Sequence, residues 1–159
     1  MQTLKMVVCL AFAAAFVGCA TFGKKPEEVS LRLHEESSAS LPAETIQTVD
    51  IPHTNLKITV SPFPALTERD VQSAELYDTA GGKAILLRFD PHGTIAFDEL
   101  TTRDRGRYLV VFLNKRVVGA WFVDQRIING QFLVEGDFTD EEAKNAVKAL
   151  NKLSETNRR

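Results

Sequence analysis

Two apolar runs held three residues apart do most to restrict the fold of this 159-residue chain. Tyr108 to Leu113 reads YLVVFL without a polar break, and after Asn114 and Lys115 the segment Val117 to Val123 is again apolar. Runs of this length, bounded by turn residues, are central, well-buried strands, and the short gap joins them as a hairpin. The flanking segments supply partners. Val29, Leu31 and Leu33 alternate with Ser30, Arg32 and His34 at the period of a half-buried strand. From Thr45 to Val60 the chain is extended but interrupted by Pro52, so it forms an edge strand or two short ones. Ser61 to Leu66, SPFPAL, is a loop fixed by two prolines, and Thr67 starts a short helical turn through Val71.

The second half is more sharply punctuated. Glu75 to Asp78 and Ala84 to Phe89 flank Ala80, Gly81 and Gly82 as two strands on a glycine turn. Asp90 followed by Pro91 is a helix cap with proline at the first helical position, and Gly93, Ala96, Phe97 and Leu100 then share one face of a helix ending near Thr102. Asn129 and Gly130 mark a turn before a strand from Gln131 to Glu135. Thr139 and Glu142 form a capping box, and Ala143, Ala146, Val147, Leu150 and Leu153 recur at helical spacing behind it. The expected fold is α+β: a small mixed or antiparallel sheet of about five or six strands with two helices packed on it.

The N-terminus sets the compartment. Lys5 precedes an unbroken apolar run from Met6 to Val17 that closes on Gly18 and Cys19. A membrane-spanning helix needs about 20 apolar residues, whereas a secretory core needs only about 7 to 15 followed by small residues, so residues 1–18 read as a signal peptide. The closing Phe16, Val17, Gly18, Cys19 is similar to the bacterial lipobox, in which cleavage precedes a cysteine bearing diacylglycerol, although Phe16 stands where leucine is favoured. Lipidation of Cys19 would hold the chain to a membrane in the cell envelope, facing the periplasm, and Ala20 favours the outer membrane over the inner. Residues 19–44 then form a tether with a possible short strand, 45–65 an extended region and proline-rich loop, 66–154 the main domain and 155–159 a polar tail. Cys9 falls within the signal, so no disulfide is available and packing alone must hold the domain. About 120 residues suffice to bury roughly two-thirds of the unfolded surface.

Several motifs keep their order and spacing across Leu66 to Leu153. Leu66, Thr67, Asp70, Val71 and Ala74 are followed by Gly81 and Gly82, by Phe89 and Asp90 leading to Gly93, and by Glu99, Leu100 and Thr101. Gly106 and Arg107 precede the first apolar run, and Gly136, Phe138, Thr139, Glu141, Glu142 and Ala143 close the set. This pattern resembles the head part of the first periplasmic domain of SecD, a component of the protein-export machinery. Two departures stand out. The family hairpin usually turns on Asp-Gly, so Asn114 and Lys115 imply a less ideal or longer turn, and Gly119, Ala120 and Trp121 replace the usual Ser-Ala-Pro. The resemblance implies a periplasmic binding module that contacts a polypeptide or a Sec translocase component.

Catalytic chemistry finds little support. His34, Glu35 and Glu36 begin like a zinc-binding H-E-x-x-H, but Ser38 stands where the second histidine belongs, and His34, His53 and His92 read as ordinary surface histidines. Gly81, Gly82 and Lys83 lack the remaining residues of a phosphate loop, and no serine sits in a nucleophile elbow. No enzyme, metal or cofactor is expected. A net charge of −2 with interspersed signs argues against nucleic acid. Two features remain as candidate partner-binding residues: the basic cluster Arg103, Arg105 and Arg107, otherwise a solvated loop, and Trp121, which with Phe122 must place one ring inward and one outward on a strand. The alternative to an export role is a structural lipoprotein that joins an envelope complex.

Overall fold

The computed structural model describes residues 29–37 and 46–157. The expectations for the signal peptide, Cys19, the tether to residue 28, the stretch 38–45 and the last two residues lie outside these. Among the described residues the order is β1 (Leu31–Glu35), β2 (Gln47–Asp50), β3 (Lys57–Val60), β4 (Leu66–Thr67), a 3₁₀ turn (Glu68–Asp70), β5 (Val71–Thr79), β6 (Gly82–Phe89), α1 (Pro91–Arg103), β7 (Tyr108–Leu113), β8 (Arg116–Phe122), β9 (Gln131–Val134) and α2 (Asp140–Asn157).

The fold is α+β and every strand pairing is antiparallel. The strands form three sheets, ordered β4-β1-β7-β8, β2-β3 and β5-β6-β9, in place of a single sheet of five or six. Two features divide them. The 3₁₀ turn, closed by a Thr67–Asp70 capping box, bends the chain between β4 and β5, and the break at Pro52 folds residues 47–60 into a hairpin.

That hairpin explains why Tyr108 to Leu113 is apolar throughout. One face of the four-stranded sheet, with Leu33, Leu109, Val111 and Val118, belongs to the main core shared with β6, β9 and both helices. The other face, with Val110, Phe112 and Val117, meets Val49, Ile51, Ile58 and Val60 of β2–β3 in a second, smaller core. A strand covered on both faces has no reason to alternate. The same cover corrects the reading of His34 as a surface residue. Its ring is 9% exposed, lies 4.8 Å from that of Phe112 and places Nδ1 2.8 Å from the Ser61 carbonyl oxygen.

The β7–β8 turn keeps two residues, with Leu113 opposite Arg116. Asn114 and Lys115 both take positive φ, 51° and 67°, so the chain adopts the backbone that Asp-Gly would favour, without the glycine. Both helices start where expected. Asp90 Oδ1 accepts from the Gly93 amide at 2.7 Å, and Thr139 and Glu142 exchange bonds of 2.7 and 3.1 Å. Gly93 and Gly136 are positions where backbones approach closely: a Cβ on Gly93 would stand 2.9 Å from the Asp70 carbonyl oxygen, and one on Gly136 2.4 Å from that of Val118.

Candidate functional site

β8 is the last strand of its sheet, and its unpaired side is the most suggestive surface of the molecule. Opposite Val111 lies Gly119 and opposite Phe112 lies Val117, so Val118 is an extra residue, a β-bulge that resets the alternation beyond it. Val118 and Trp121 therefore face the main core, whereas Ala120 faces the smaller core and Phe122, on the same side of the strand, lies beyond it. Trp121 is half-buried, with ring centroids 5.5 Å from Phe132 and 6.5 Å from Phe97. Phe122 is 46% exposed and meets the Tyr108 ring edge-on at 5.2 Å.

The backbone bookkeeping of this strand follows from its ends. Val123 donates to the Arg107 carbonyl and accepts from Gly106, so its polar groups point toward β7. By alternation Trp121 and Gly119 do the same, and Val118, Ala120 and Phe122 present theirs to the open edge. Val118 is satisfied by the Asp137 amide at 2.7 Å. For the outward N–H and C=O of Ala120 and Phe122, the described residues offer no backbone partner. Among the described residues the site is thus a short run of unpaired main-chain donors and acceptors beside an exposed phenyl ring.

The three arginines are not equivalent. Arg103, at the end of α1, contacts Glu35 of β1 and lies 3.4 Å from each oxygen of Asp104, a residue only 3% exposed. The Asp104 hydrogen bond, with the charges of Glu35 and Asp104 behind it, raises the pKa of this guanidinium further. Arg107 Nη1 stands 4.0 Å from Asp104. Arg103 is accordingly part of a polar joint between α1, β1 and the start of β7, whereas Arg105, 3.5 Å from the Asp124 carbonyl oxygen, and Arg107, whose carbonyl accepts from Val123, lie in the loop that meets the end of β8 on its β7 side.

The remaining candidates are engaged elsewhere. Glu36 accepts from the Tyr108 amide, His53 meets Asp137 at 3.2 Å, and His92 lies 3.4 Å from Asp70. Among the described residues no group of three His, Cys, Asp or Glu is placed to hold a metal ion, and no helix is long and apolar enough to cross a membrane. Two hollows, one beside the end of α2 and one along α1 at Asp98 and Arg126, are open to solvent. The exposed Phe122 and the bulge that aims it were missed in the sequence. The WF pair signals that one ring points out, but which one depends on Val118.

The model of the SecDF P1 head subdomain matches residues 43–152. The chain belongs to that family. Among curated relatives, the protein translocase subunit SecDF of Thermus thermophilus is 34% identical over 88 residues, 55% of this chain and 12% of that protein. The subunit SecD of Calditerrivibrio nitroreducens is 32% identical over 66 residues, 42% of this chain and 13% of that protein. The chain thus corresponds to about an eighth of these relatives. In a solved structure described as a membrane component SecDF that enhances protein export, 78% of this chain superposes on 62% of the other, with a TM-score of 0.60 and 22% identity. SecDF in its super-membrane-facing form gives 0.58 and 23%, over 78% of this chain and 19% of the other. These likenesses agree on the head fold.

Proposed function

We propose that this chain is a non-enzymatic, lipid-anchored periplasmic module that takes up extended polypeptide along the β8 edge, in or beside the protein-export machinery. The observation that carries the reading is the open edge itself, because free alternate N–H and C=O groups are matched by another extended backbone regardless of its side chains. The outward groups of Ala120 and Phe122 allow four such bonds at roughly 0.5–1.5 kcal/mol each. That is a weak contact, suited to a chain that must move on. In this reading Phe122 supplies an apolar foothold, Trp121 stiffens the strand from behind, and Arg105 and Arg107 form a basic rim. Arg103 contributes by holding that corner together.

The anchor is the diacylglyceryl group of Cys19 after loss of residues 1–18, with the outer membrane as the favoured site. Each buried CH₂ contributes about 0.8 kcal/mol, and two chains already give stable attachment. Cys19→Ala should therefore move the protein out of the membrane fraction, and retention of that variant would refute the anchor. A photo-crosslinking residue at position 122 should capture translocase components or secreted proteins in intact cells, whereas the same probe on α2 at Lys148 should not. Capture of neither from position 122 would end the export reading. Unchanged export in a deletion strain with a weakened envelope would instead assign the chain to a structural envelope complex.

A further inference from the structure

β1 occupies an unusual position for its place in the chain. It lies in the interior of the four-stranded sheet, between β4 and β7, yet it precedes residue 43, where the family match begins. Its hydrogen-bonding groups are used on both sides. Toward β7, Asn114 donates to the Ser30 carbonyl at 2.7 Å and Glu36 donates to that of Tyr108 at 2.9 Å, with Arg32 opposite Phe112 and His34 opposite Val110 between them. On the other side, the Leu33 carbonyl accepts from Ala65 at 2.8 Å, that of Glu35 from Ser61 at 2.9 Å, and the Leu31 amide donates to Glu68 at 3.1 Å. Leu31 and Leu33 are buried in the main core. The slot between β4 and β7 is therefore built to take a five-residue strand with apolar residues two apart, and the covalent link from that strand to the rest of the described domain runs through residues 38–45 alone.

We propose that β1 is exchangeable, and that two copies of this chain complete each other's four-stranded sheet by trading residues 31–35. A second copy is favoured over a foreign peptide because an identical strand restores every bond and both leucine contacts, whereas another sequence has to displace a fit already made. From Ser37 to Ile46 there are nine residue steps, a contour of at most about 30 Å. A strand tethered this closely has an effective concentration on the order of millimolar toward its own slot. Dilute native protein is thus monomeric, and exchange rises with protein concentration and with passage through the unfolded state. This inference is independent of the proposed polypeptide site, since β1 and the β8 edge lie on opposite sides of β7.

The experiment uses the full chain carrying C9A and C19A in mild detergent. One preparation also carries R32C and another F112C, and the two are mixed, co-refolded at rising concentration and treated with dibromobimane, which bridges thiols a few ångströms apart. A covalent dimer linking position 32 to position 112, increasing with concentration, is the expected result. In the double variant R32C/F112C the bridge should shift from within one chain to between chains over the same range. If the double variant bridges only within a chain at every concentration and the mixed single variants yield no dimer, exchange does not occur. The surface pair S30C and N114C, which leaves both cores intact, repeats the test should F112C fold poorly.

Discussion

Lys115 stands at a φ of 67° beside Asn114 at 51°, the backbone of a two-residue hairpin turn that glycine adopts without penalty. Lys115→Gly should stabilise the domain by about 0.5–1 kcal/mol, read as a higher urea midpoint with an unchanged slope. Asp104 presents the opposite case, a carboxylate 3% exposed whose neutralisation depends on Arg103 and Arg107. Removing one partner leaves a charge that water barely reaches, so Arg103→Ala should cost roughly 1–3 kcal/mol, well above an ordinary surface substitution. A pH dependence arises at Arg116, which bonds Asp137 at 2.8 Å and Glu142 at 3.1 Å. Both carboxyls are held below their usual range, Asp137 chiefly by His53 and then Arg116, Glu142 chiefly by the Thr139 backbone amide. Groups with lowered pKa stabilise the fold above the unfolded value and lose that contribution as pH falls through the folded one. The melting temperatures of the parent chain and Arg116→Gln should therefore differ at neutral pH and converge as the pH is brought from about 5 to about 3.

Individual elements were legible in proportion to how local their causes are. The Asp90–Pro91 cap, the Thr139–Glu142 box and the glycine turn at Ala80–Gly81 lie within a few residues of what they control, and the sequence marks all three, with Gly82 already the first residue of β6. The division into three sheets is a matter of distant pairings, such as Arg32 with both Thr67 and Phe112, which no local pattern announces. Asn151 was equally silent, a polar residue on a helix read by its apolar spacing. Its side-chain amide accepts from the Ala74 N–H at 2.8 Å and donates to the Ala74 C=O at 2.9 Å, and Ser154 donates to Gln72 at 2.6 Å. α2 thereby satisfies the outer edge of β5 with side chains and shields it from further strands. Asn151→Asp keeps the shape but removes the donor and sets a carboxylate against a carbonyl. It should destabilise by roughly 1–3 kcal/mol and accelerate hydrogen exchange along β5 more than along β7.

At the scale of the whole molecule, the two cores are unequal. The main core ties seven strands and both helices together, whereas β2–β3 is a separate two-stranded sheet resting on Val110 and its neighbours. Its direct strand contact with the larger sheet is the bridge from Glu36 to Val60, supported by the Ser37 amide on Thr59, and its turn is fastened by His53 to Asp137. Isolated hairpins are marginal in water, so this one owes its order to the face beneath it and should open before the rest unfolds. In native-state hydrogen exchange the amides of the β2–β3 ladder should lose protection at lower urea than those of β1 and β7. Ile58→Ala should widen that gap, because it removes contacts from the smaller core while leaving the larger one untouched. Equal protection across both cores, unaffected by Ile58→Ala, would mean that the hairpin and the head domain unfold as one unit. Partial opening has a functional consequence as well, since lifting the hairpin bares Val110, Phe112 and Ala120 beside the free edge of β8. A polypeptide seated on that edge would then find an apolar floor next to its backbone partners, and its affinity should rise in Ile58→Ala if the two features act together.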